Sequence, residues 1–230
     1  MVKIEAFTIA WNEEKVIGQY IDHYTSIVDH ITVFDNFSTD KTVEIARKRG
    51  CLVRPFGSSI LHDEIVQLKL KEDCWKDSGA DWVIVTDIDE FLYHPDFRRF
   101  LSETEATVIQ PDGHLMVSED CLPFRQVRTG AKEPLGKTVC FRPSEIKAMN
   151  WTPGCHNCSP KGNVKLSVGE TKLLHFFLIG RKEFKERWKR NISRFSENDK
   201  RCGYGCHYLF SDQRMDDYFN DHLARAEVVW

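Results

Sequence analysis

The stretch WVIVTDIDEF, residues 82–91, decides the fold class of this chain of 230 residues. It opens with apolar residues on both faces, which is typical of a strand buried within a parallel sheet. Three carboxylates follow at once, at Asp87, Asp89 and Glu90. Acids this close together repel one another and resist ionising together unless a positive charge lies among them. The stretch therefore predicts a buried strand that ends in a ligand site.

Strands and helices alternate through the first half of the chain. Predicted strands cover residues 3–10, 31–36, 51–56 and 82–87, and predicted helices cover residues 13–29, 38–50 and 62–79. Short joints between alternating elements imply right-handed crossovers, so the pattern predicts an α/β fold with a mostly parallel sheet flanked by helices. In such sheets, ligands bind beyond the carboxyl ends of the strands.

The alternation weakens after residue 105, and the second half is predicted to be irregular. Strands are predicted at residues 106–110, 137–142 and 171–179, a strongly charged helix at 181–198 and a last helix at about 213–229. We find no internal repeat and no low-complexity linker, so residues 1–230 are predicted to form a single domain.

The composition argues against several classes of protein. Hydrophobic residues make up 41% and charged residues 29%, as in ordinary soluble proteins. A net charge of −3 argues against a nucleic-acid partner. No apolar run is long enough for a transmembrane helix, and the start lacks the pattern of a signal peptide, so a cytoplasmic location is expected. The eight cysteines then need not form disulfides.

Asp87 and Asp89 are the leading candidates for a metal site. Because the chain turns at the end of a strand, two carboxylates one residue apart can point at one ion. Oxygen ligands with open positions suit Mg²⁺ or Mn²⁺, which also bind diphosphates. The alternative is an ordinary surface turn, since the short pattern D-x-D arises by chance in many chains.

Polar residues also follow the first two predicted strands. Asn12 and Glu13 follow the first, and Asp35 and Asn36 end the second. The loop that carries Asn12 and Glu13 is at a suitable place to hold the base or ribose of a nucleotide. Asp35 and Asn36, at the end of the second strand, are at a suitable place to accept a hydrogen bond from a nucleobase. For Asn12, Glu13 and Glu14 the alternative is a cap on the helix that follows, because acids favour the positive end of a helix.

The order of these segments, with NEE, DNFSTDKT and ADWVIVTDIDEF in succession, resembles the nucleotide-diphospho-sugar glycosyltransferases with a GT-A fold. It is most similar to a family 2-like branch that carries a D-x-D-E-F block. The resemblance covers about residues 1–110 and, weakly, residues 137–195. It implies a nucleotide-sugar-binding half at 1–110 and an acceptor-side half at 111–230.

The same resemblance implies a reaction and a division of roles. A sugar would pass from a nucleotide-diphosphate sugar, with UDP as the expected nucleotide, to a hydroxyl of a glycan or glycoconjugate, with Mn²⁺ or Mg²⁺ as cofactor. Asp87 and Asp89 would hold the metal, and Asp87 would also contact the sugar diphosphate. The donor nucleotide would be bound by Asn12, Glu13, Asp35 and Asn36.

Two histidines and two acids complete the candidate site. His175 lies in a late predicted strand where relatives supply a third metal ligand, although a buried core histidine is the alternative. His156, in PGCHNC, is a candidate neighbour of the acceptor or the metal. Inverting enzymes need a carboxylate base, for which Glu119 and Asp120 are the candidates. A retaining mechanism would need no such base, so the stereochemistry stays open.

Two rival functions remain. A noncatalytic, zinc-stapled binding module is suggested by two close cysteine pairs with adjoining histidines, namely Cys155, His156, Cys158, Cys202, Cys206 and His207. A nucleotidyltransferase would need a glycine-rich, basic loop after the first strand, where AWNEEKVIG offers acids instead.

The basic helix at 181–198 is interpreted as a solvated face, and peripheral membrane contact is the alternative. Arg181 and Lys182 are kept as candidate neighbours of a bound phosphate.

Overall fold

The first half of the chain forms the parallel part of the central sheet. The computed structural model describes residues 2–57, 61–133, 137–204 and 210–230. Four parallel strands pair in the order β3–β2–β1–β4: β1 (Ile4–Ala10), β2 (His30–Asp35), β3 (Leu52–Pro55) and β4 (Trp82–Asp87). The helices between them are α1 (Ile17–Tyr24), α2 (Thr42–Lys48) and α3 (Glu64–Asp73). The predicted α/β fold is confirmed.

The second half extends this sheet with antiparallel strands. Beyond β4 the order continues through β8 (Cys140–Phe141), β6 (Val108–Ser118), β7 (Thr129–Lys132) and β12 (Glu227–Val228). The long strand β11 (Leu166–Ile179) pairs in parallel with β6 and antiparallel with β5 (Glu90–Tyr93). A separate two-stranded sheet contains β9 (Ile146–Ala148) and β10 (Lys161–Gly162). The remaining helices are α4 (Phe97–Glu103), α5 (Arg181–Ile192), α6 (Glu197–Cys202) and α7 (Asp212–Ala224).

Two predicted helices of the second half end earlier than their sequence pattern indicates. The predicted helix at 181–198 is two helices, because the chain breaks after Ile192 so that Phe195 can pair with His62 in a β-bridge. Ser196 then caps α6 by accepting a hydrogen bond from the Asp199 amide. The predicted last helix stops at Ala224, and the residues that follow form β12 against β7.

Strand β4 lies at the centre of the molecule and is buried on both faces. Trp82 and Ile84 belong to one large apolar cluster, which draws residues from Ile4 to Val229. Val83 and Val85 belong to a second cluster on the opposite face. Since successive side chains of a strand point to opposite faces, both faces of β4 need an apolar cover, and each buried side chain contributes roughly 1.5–3 kcal/mol. Asp87, at the end of this strand, is therefore held on a rigid support.

Gly180 sets the direction of α5, which follows β11. Its φ of +73° lies in the left-handed region that favours glycine, and a Cβ there would lie 2.9 Å from the Cβ of Cys121. The chain therefore reverses tightly after Ile179 and sends α5 back toward the carboxyl ends of β1 and β4. Within the described residues, none of the helices has the length and apolar character needed to span a bilayer.

Candidate functional site

A cavity of about 610 Å³ opens at the carboxyl ends of β1 and β4. Its floor contains Ile9 and the turn residues Asp87, Ile88 and Asp89. His175 of β11 also lines it, so the predicted metal ligands Asp87, Asp89 and His175 meet at one cavity.

Asp87 is held between two lysines. The Nζ atoms of Lys71 and Lys137 donate to its two carboxylate oxygens at 2.6 and 2.7 Å. Burial raises the pKa of Asp87, but the lysines outweigh this effect and hold the pKa well below its ordinary value. Lys137 also lies 2.6 Å from the fully buried carboxylate of Glu90, and Glu90 accepts a hydrogen bond from the Asp87 amide. Lys137 thus lies between two acids of the opening stretch, Asp87 and Glu90, and offsets the repulsion between them.

Asp89 has a different set of partners. Its Oδ2 accepts a hydrogen bond from Arg187 at 2.6 Å and lies 3.4 Å from His175 Nε2. Burial raises the pKa of Asp89, but Arg187 and His175 outweigh it and hold the pKa below its ordinary value. Burial lowers the pKa of His175, but Asp89 outweighs it and raises the pKa. Asp89 and His175 therefore form one polar unit at the cavity floor.

Glu13 binds to α5 through two arginines. Its Oε1 lies 3.3 Å from Arg187 and 2.9 Å from Arg190, which are three residues apart and share one helix face. Burial raises the pKa of Glu13, and the two arginines oppose that effect. The interpretation of α5 as a solvated basic face is wrong for these arginines, because they neutralise acids at the strand ends. Phe184 and Trp188 of the same helix are buried.

The other predicted donor contacts hold the strand-end loops together. The Asn12 side chain accepts a hydrogen bond from the Thr39 amide at 2.8 Å, and Asp35 accepts one from the Ser38 amide at 3.1 Å. Asn36 is buried and accepts from Arg194, which also stacks over the Trp11 ring. Within the described part of the chain, none of Asn12, Glu13, Asp35 and Asn36 lines the cavity. Their role in nucleotide binding stays a prediction.

Helix α3 provides one wall of the cavity, which sequence reasoning missed. Glu64, Gln67, Leu68 and Lys71 all line it, and their spacing places them on one face of the helix. No residue of α3 is fully buried. The polar residues at positions 64, 67 and 71, which share one face of the helix, are the signal that could have identified a wall of this kind.

The loop 153–156 also lines the cavity and contains His156. Gly154 has a φ of +79° and donates its amide hydrogen to Glu64 of α3 at 2.6 Å, so the loop is joined to the helix at the cavity wall. Burial lowers the pKa of His156. His156 lines the same cavity as His175, and its role as a neighbour of the acceptor or the metal stays a prediction.

Glu119 and Asp120, the predicted bases, lie elsewhere. Glu119 pairs with Arg181, and Asp120 is exposed. Among the residues that the structure describes, the cavity lining includes neither acid, and it includes neither Arg181 nor Lys182. Arg181 also pairs with Asp216 of α7, so its charge is neutralised in an ion pair that joins α5 to α7.

The zinc alternative depends partly on residues outside the described ranges, because Cys206 and His207 fall there. Cys155, Cys158 and Cys202 are free thiols. Over residues 2–57, 61–133, 137–204 and 210–230, no three His, Cys, Asp or Glu side chains are grouped so as to hold a metal ion by themselves.

The fold and the cavity define an α/β protein with a charged ligand site at the carboxyl ends of its parallel strands. Curated relatives include an uncharacterized glycosyltransferase of Rickettsia typhi, 34% identical over 94 residues, which are 40% of this chain and 30% of that protein. One of Rickettsia felis is 33% identical over 94 residues, with the same coverage. The match thus spans about a third of the length of these relatives. No family model matches the chain.

Solved structures with partial similarity include glucosyl-3-phosphoglycerate synthase from Mycobacterium tuberculosis in complex with Mn²⁺, uridine diphosphate and glucosyl-3-phosphoglycerate. It is 22% identical, with a TM-score of 0.36, and the alignment covers 49% of this chain and 44% of that one. A complex of that enzyme with Mg²⁺ and uridine diphosphate has a TM-score of 0.37 at 22% identity, with the same coverage.

Proposed function

We propose that this chain is a glycosyltransferase that moves a sugar from a nucleotide-diphosphate sugar, with UDP as the expected nucleotide, to a hydroxyl of a glycan or glycoconjugate. The observation that carries the proposal is the meeting of Asp87, Asp89 and His175 in one cavity at the carboxyl ends of parallel strands. The named activity of the curated relatives supports it.

The cavity has the charges that a diphosphate requires. Lys71, Lys137 and Arg187 line it beside the two aspartates. The lysine ammonium groups and the arginine guanidinium are donors that bind phosphate oxygens. When a dianionic donor enters, these cations can contact its phosphates while remaining close to the carboxylates. They would offset the negative charge that gathers on the leaving nucleoside diphosphate.

The residues present also fit a divalent cation. Asp89 Oδ2 and His175 Nε2 lie 3.4 Å apart, and the charge of Asp87 is close enough to act on the pKa of Asp89. Mg²⁺ is usually bound by one or two carboxylates together with substrate phosphates, so a set of three protein ligands is not required. Asp89 and His175, together with the phosphates of the donor, would hold Mn²⁺ or Mg²⁺ beside Asp87, and the ion would supply charge neutralisation at the diphosphate.

A thermal-shift screen tests this function. The protein is heated with UDP-glucose, UDP-galactose, UDP-N-acetylglucosamine or GDP-mannose, each with and without Mn²⁺. A ligand at about 100 times its Kd adds about 2.7 kcal/mol of stability. For a chain of this size, that corresponds to a rise in Tm of roughly 5–11 °C. We expect such a rise with a UDP-sugar and Mn²⁺ together.

Variants locate the binding site. Asp89→Asn and His175→Gln should each abolish the metal-dependent rise. Asp112→Asn, on β6 and outside the cavity lining, should retain it. Cooperative unfolding of each variant, followed by circular dichroism, verifies that it folds. The proposal is wrong if no nucleotide sugar stabilises the wild type, or if both site variants respond as the wild type does.

A further inference from the structure

His62 and Asp199 form a hydrogen-bonded pair in the wall of the cavity. His62 Nδ1 lies 3.0 Å from Asp199 Oδ2, and the Asp199 side chain is fully buried. Its second oxygen, Oδ1, accepts a hydrogen bond from the Glu64 amide at 3.0 Å. Since an ionised carboxylate only accepts hydrogen bonds, the ring proton belongs on Nδ1. The Nε2 atom is then the basic nitrogen of this histidine.

The backbone fixes His62 from both sides. Its amide donates to the Arg194 carbonyl at 2.7 Å, and its own carbonyl accepts from the Ser196 amide at 3.0 Å. The Ser196 hydroxyl in turn accepts from the Asp199 amide at 3.0 Å. The segment before α3 and the start of α6 therefore form one unit that sets the ring against its carboxylate. Positions held in this way suit a group that must meet a reacting atom accurately.

The ring of His62 is accessible to a molecule in the cavity. His62 lines the cavity that also contains Asp89 and His175, and about a quarter of its side chain (26%) is exposed. Its Nε2 lies 3.8 Å from Glu64 Oε2, which is beyond hydrogen-bond distance. A hydroxyl group that enters here can donate its proton to Nε2.

We propose that His62 is the catalytic base for the acceptor hydroxyl and that Asp199 is its positioning residue. The inference rests on the proposed function. His62 Nε2 takes the hydroxyl proton while the acceptor oxygen forms a bond to the anomeric carbon of the donor. The bond from that carbon to the diphosphate oxygen breaks, and its electron pair leaves with the nucleoside diphosphate. Asp199 stabilises the imidazolium that forms.

The burial and contacts of this pair favour it over the acids predicted as bases. A base needs a position within reach of the substrate and a second group that orients it. His62 lines the cavity, and Asp199 orients its ring. Glu119 is paired with Arg181, and Asp120 lies at the exposed turn after β6.

Donor hydrolysis provides the test, with water in place of the sugar hydroxyl. Release of UDP is measured from pH 5 to 9 with Mn²⁺ and the UDP-sugar that gives the largest thermal shift. The key variant is His62→Asn, whose amide nitrogen can still donate to Asp199 but which lacks Nε2. We expect kcat to fall by about 100-fold or more. The donor KM should stay within about twofold of the wild-type value, and the acidic limb of the pH–rate profile should disappear.

Two further variants separate a positioning role from a structural one. Asp199→Asn retains the side-chain shape, and we expect it to lower kcat by about 10-fold or more and to shift the acidic limb. A residue that only maintains the fold would not shift that limb. His30→Asn, at the exposed start of β2, is the matched control and should behave as the wild type.

Each contrary outcome has a distinct meaning. A His62→Asn protein that hydrolyses the donor at the wild-type rate overturns the inference. So does a large loss of kcat in Asp120→Asn with none in His62→Asn. A wild type that binds the donor but releases no UDP also counts against a positioned base, because such a base activates water. Failure of every nucleotide sugar to bind overturns the proposed function itself, and with it this inference.

Discussion

Arg187 donates a hydrogen bond to Asp89 at 2.6 Å, although 98 residues separate them in the chain. The same guanidinium lies 3.3 Å from Glu13. One side chain of α5 therefore connects the acids that follow β1 and β4, so the C-terminal half completes a site whose acids come from the N-terminal half.

Replacement of Arg187 by alanine should destabilise the protein strongly. Asp89 and Glu13 have side-chain exposures of only 5% and 9%, and both would lose a positive partner. Breaking a buried ion pair typically costs about 3–5 kcal/mol. We expect a loss of that order in the free energy of unfolding, measured by urea denaturation at pH 7.

The matched control for this prediction is Lys189→Ala in the same helix. Lys189 pairs with Asp212 at the surface, and a pair of that kind contributes less than about 1 kcal/mol. Equal losses in the two variants would show that the contacts of Arg187 with the strand-end acids contribute no more than a surface pair.

Replacement of Lys137 by methionine should leave the buried Glu90 without its nearby cation. Lys137 Nζ lies 2.6 Å from Glu90 and donates to Asp87 at 2.7 Å. An uncompensated buried charge costs about 3–5 kcal/mol, which urea denaturation at pH 7 would detect. The double variant with Glu90→Gln should regain part of this loss, because the glutamine oxygen can still accept from the Asp87 amide.

Lys132→Met is the control for the Lys137 prediction, since Lys132 is exposed and its contact with Asp112 is 3.5 Å. We expect its unfolding free energy to match the wild-type value within about 0.5 kcal/mol. If Lys137→Met costs no more than Lys132→Met, or if the double variant is no more stable than Lys137→Met alone, the Lys137–Glu90 pair does not have this role.

The parallel half of the fold could be predicted because its signals are local. The apolar run of β4 and the alternation of strands with helices are both readable from neighbouring residues. The place of Asp87 and Asp89 followed from the rule that ligands bind at the carboxyl ends of parallel strands. The resemblance to known enzymes predicts His175 as a third metal ligand, and its Nε2 lies 3.4 Å from Asp89.

The partners of these acids could not be predicted, because they come from distant parts of the chain. Lys137 contacts Asp87 across 50 residues, and His62 contacts Asp199 across 137. No periodicity links such residues. The charges of α5 suggested a solvated face because its own glutamates balance them, yet Arg187 and Arg190 are directed at Glu13. Only the tertiary packing of α5 across the strand ends decides between these two arrangements.

Acid should destabilise the protein through the aspartates of the site. Asp87 and Asp89 have folded-state pKa values below the ordinary value, because lysine and arginine neighbours favour their charged forms. Below about pH 4, near the unfolded pKa of an aspartate, the unfolded chain takes up protons that the folded chain does not. Their contribution to stability is therefore fully present at neutral pH and is lost as the pH falls toward the folded pKa values.

Urea denaturation between pH 7 and pH 3 measures this effect. We expect the loss of stability below about pH 4 to be smaller in Asp89→Asn than in the wild type. Asp216→Asn is the control, because its carboxylate also has a lowered pKa but lies where solvent screens its partners. An Asp89→Asn curve parallel to the wild-type curve would show that Asp89 does not contribute to acid sensitivity.

His23 should produce a separate loss of stability at mildly acidic pH. It lies on α1, its ring stacks on Phe91 beside the site, and its Nε2 is 2.9 Å from the Leu92 carbonyl. Burial lowers the pKa of His23 to about 4. The unfolded chain takes up this proton near pH 6.5, so stability should fall as the pH drops from about 6.5 to about 4 and then stop changing on this account.

In His23→Gln, whose amide can donate to the same carbonyl, urea denaturation should show a smaller loss across that window. His30→Gln, at an exposed position, should retain the wild-type dependence. If His23→Gln and the wild type lose the same stability between pH 6.5 and pH 4, another group is responsible for the loss. The packing of His23 on Phe91 then does not make the stability of the strand beside the site depend on pH.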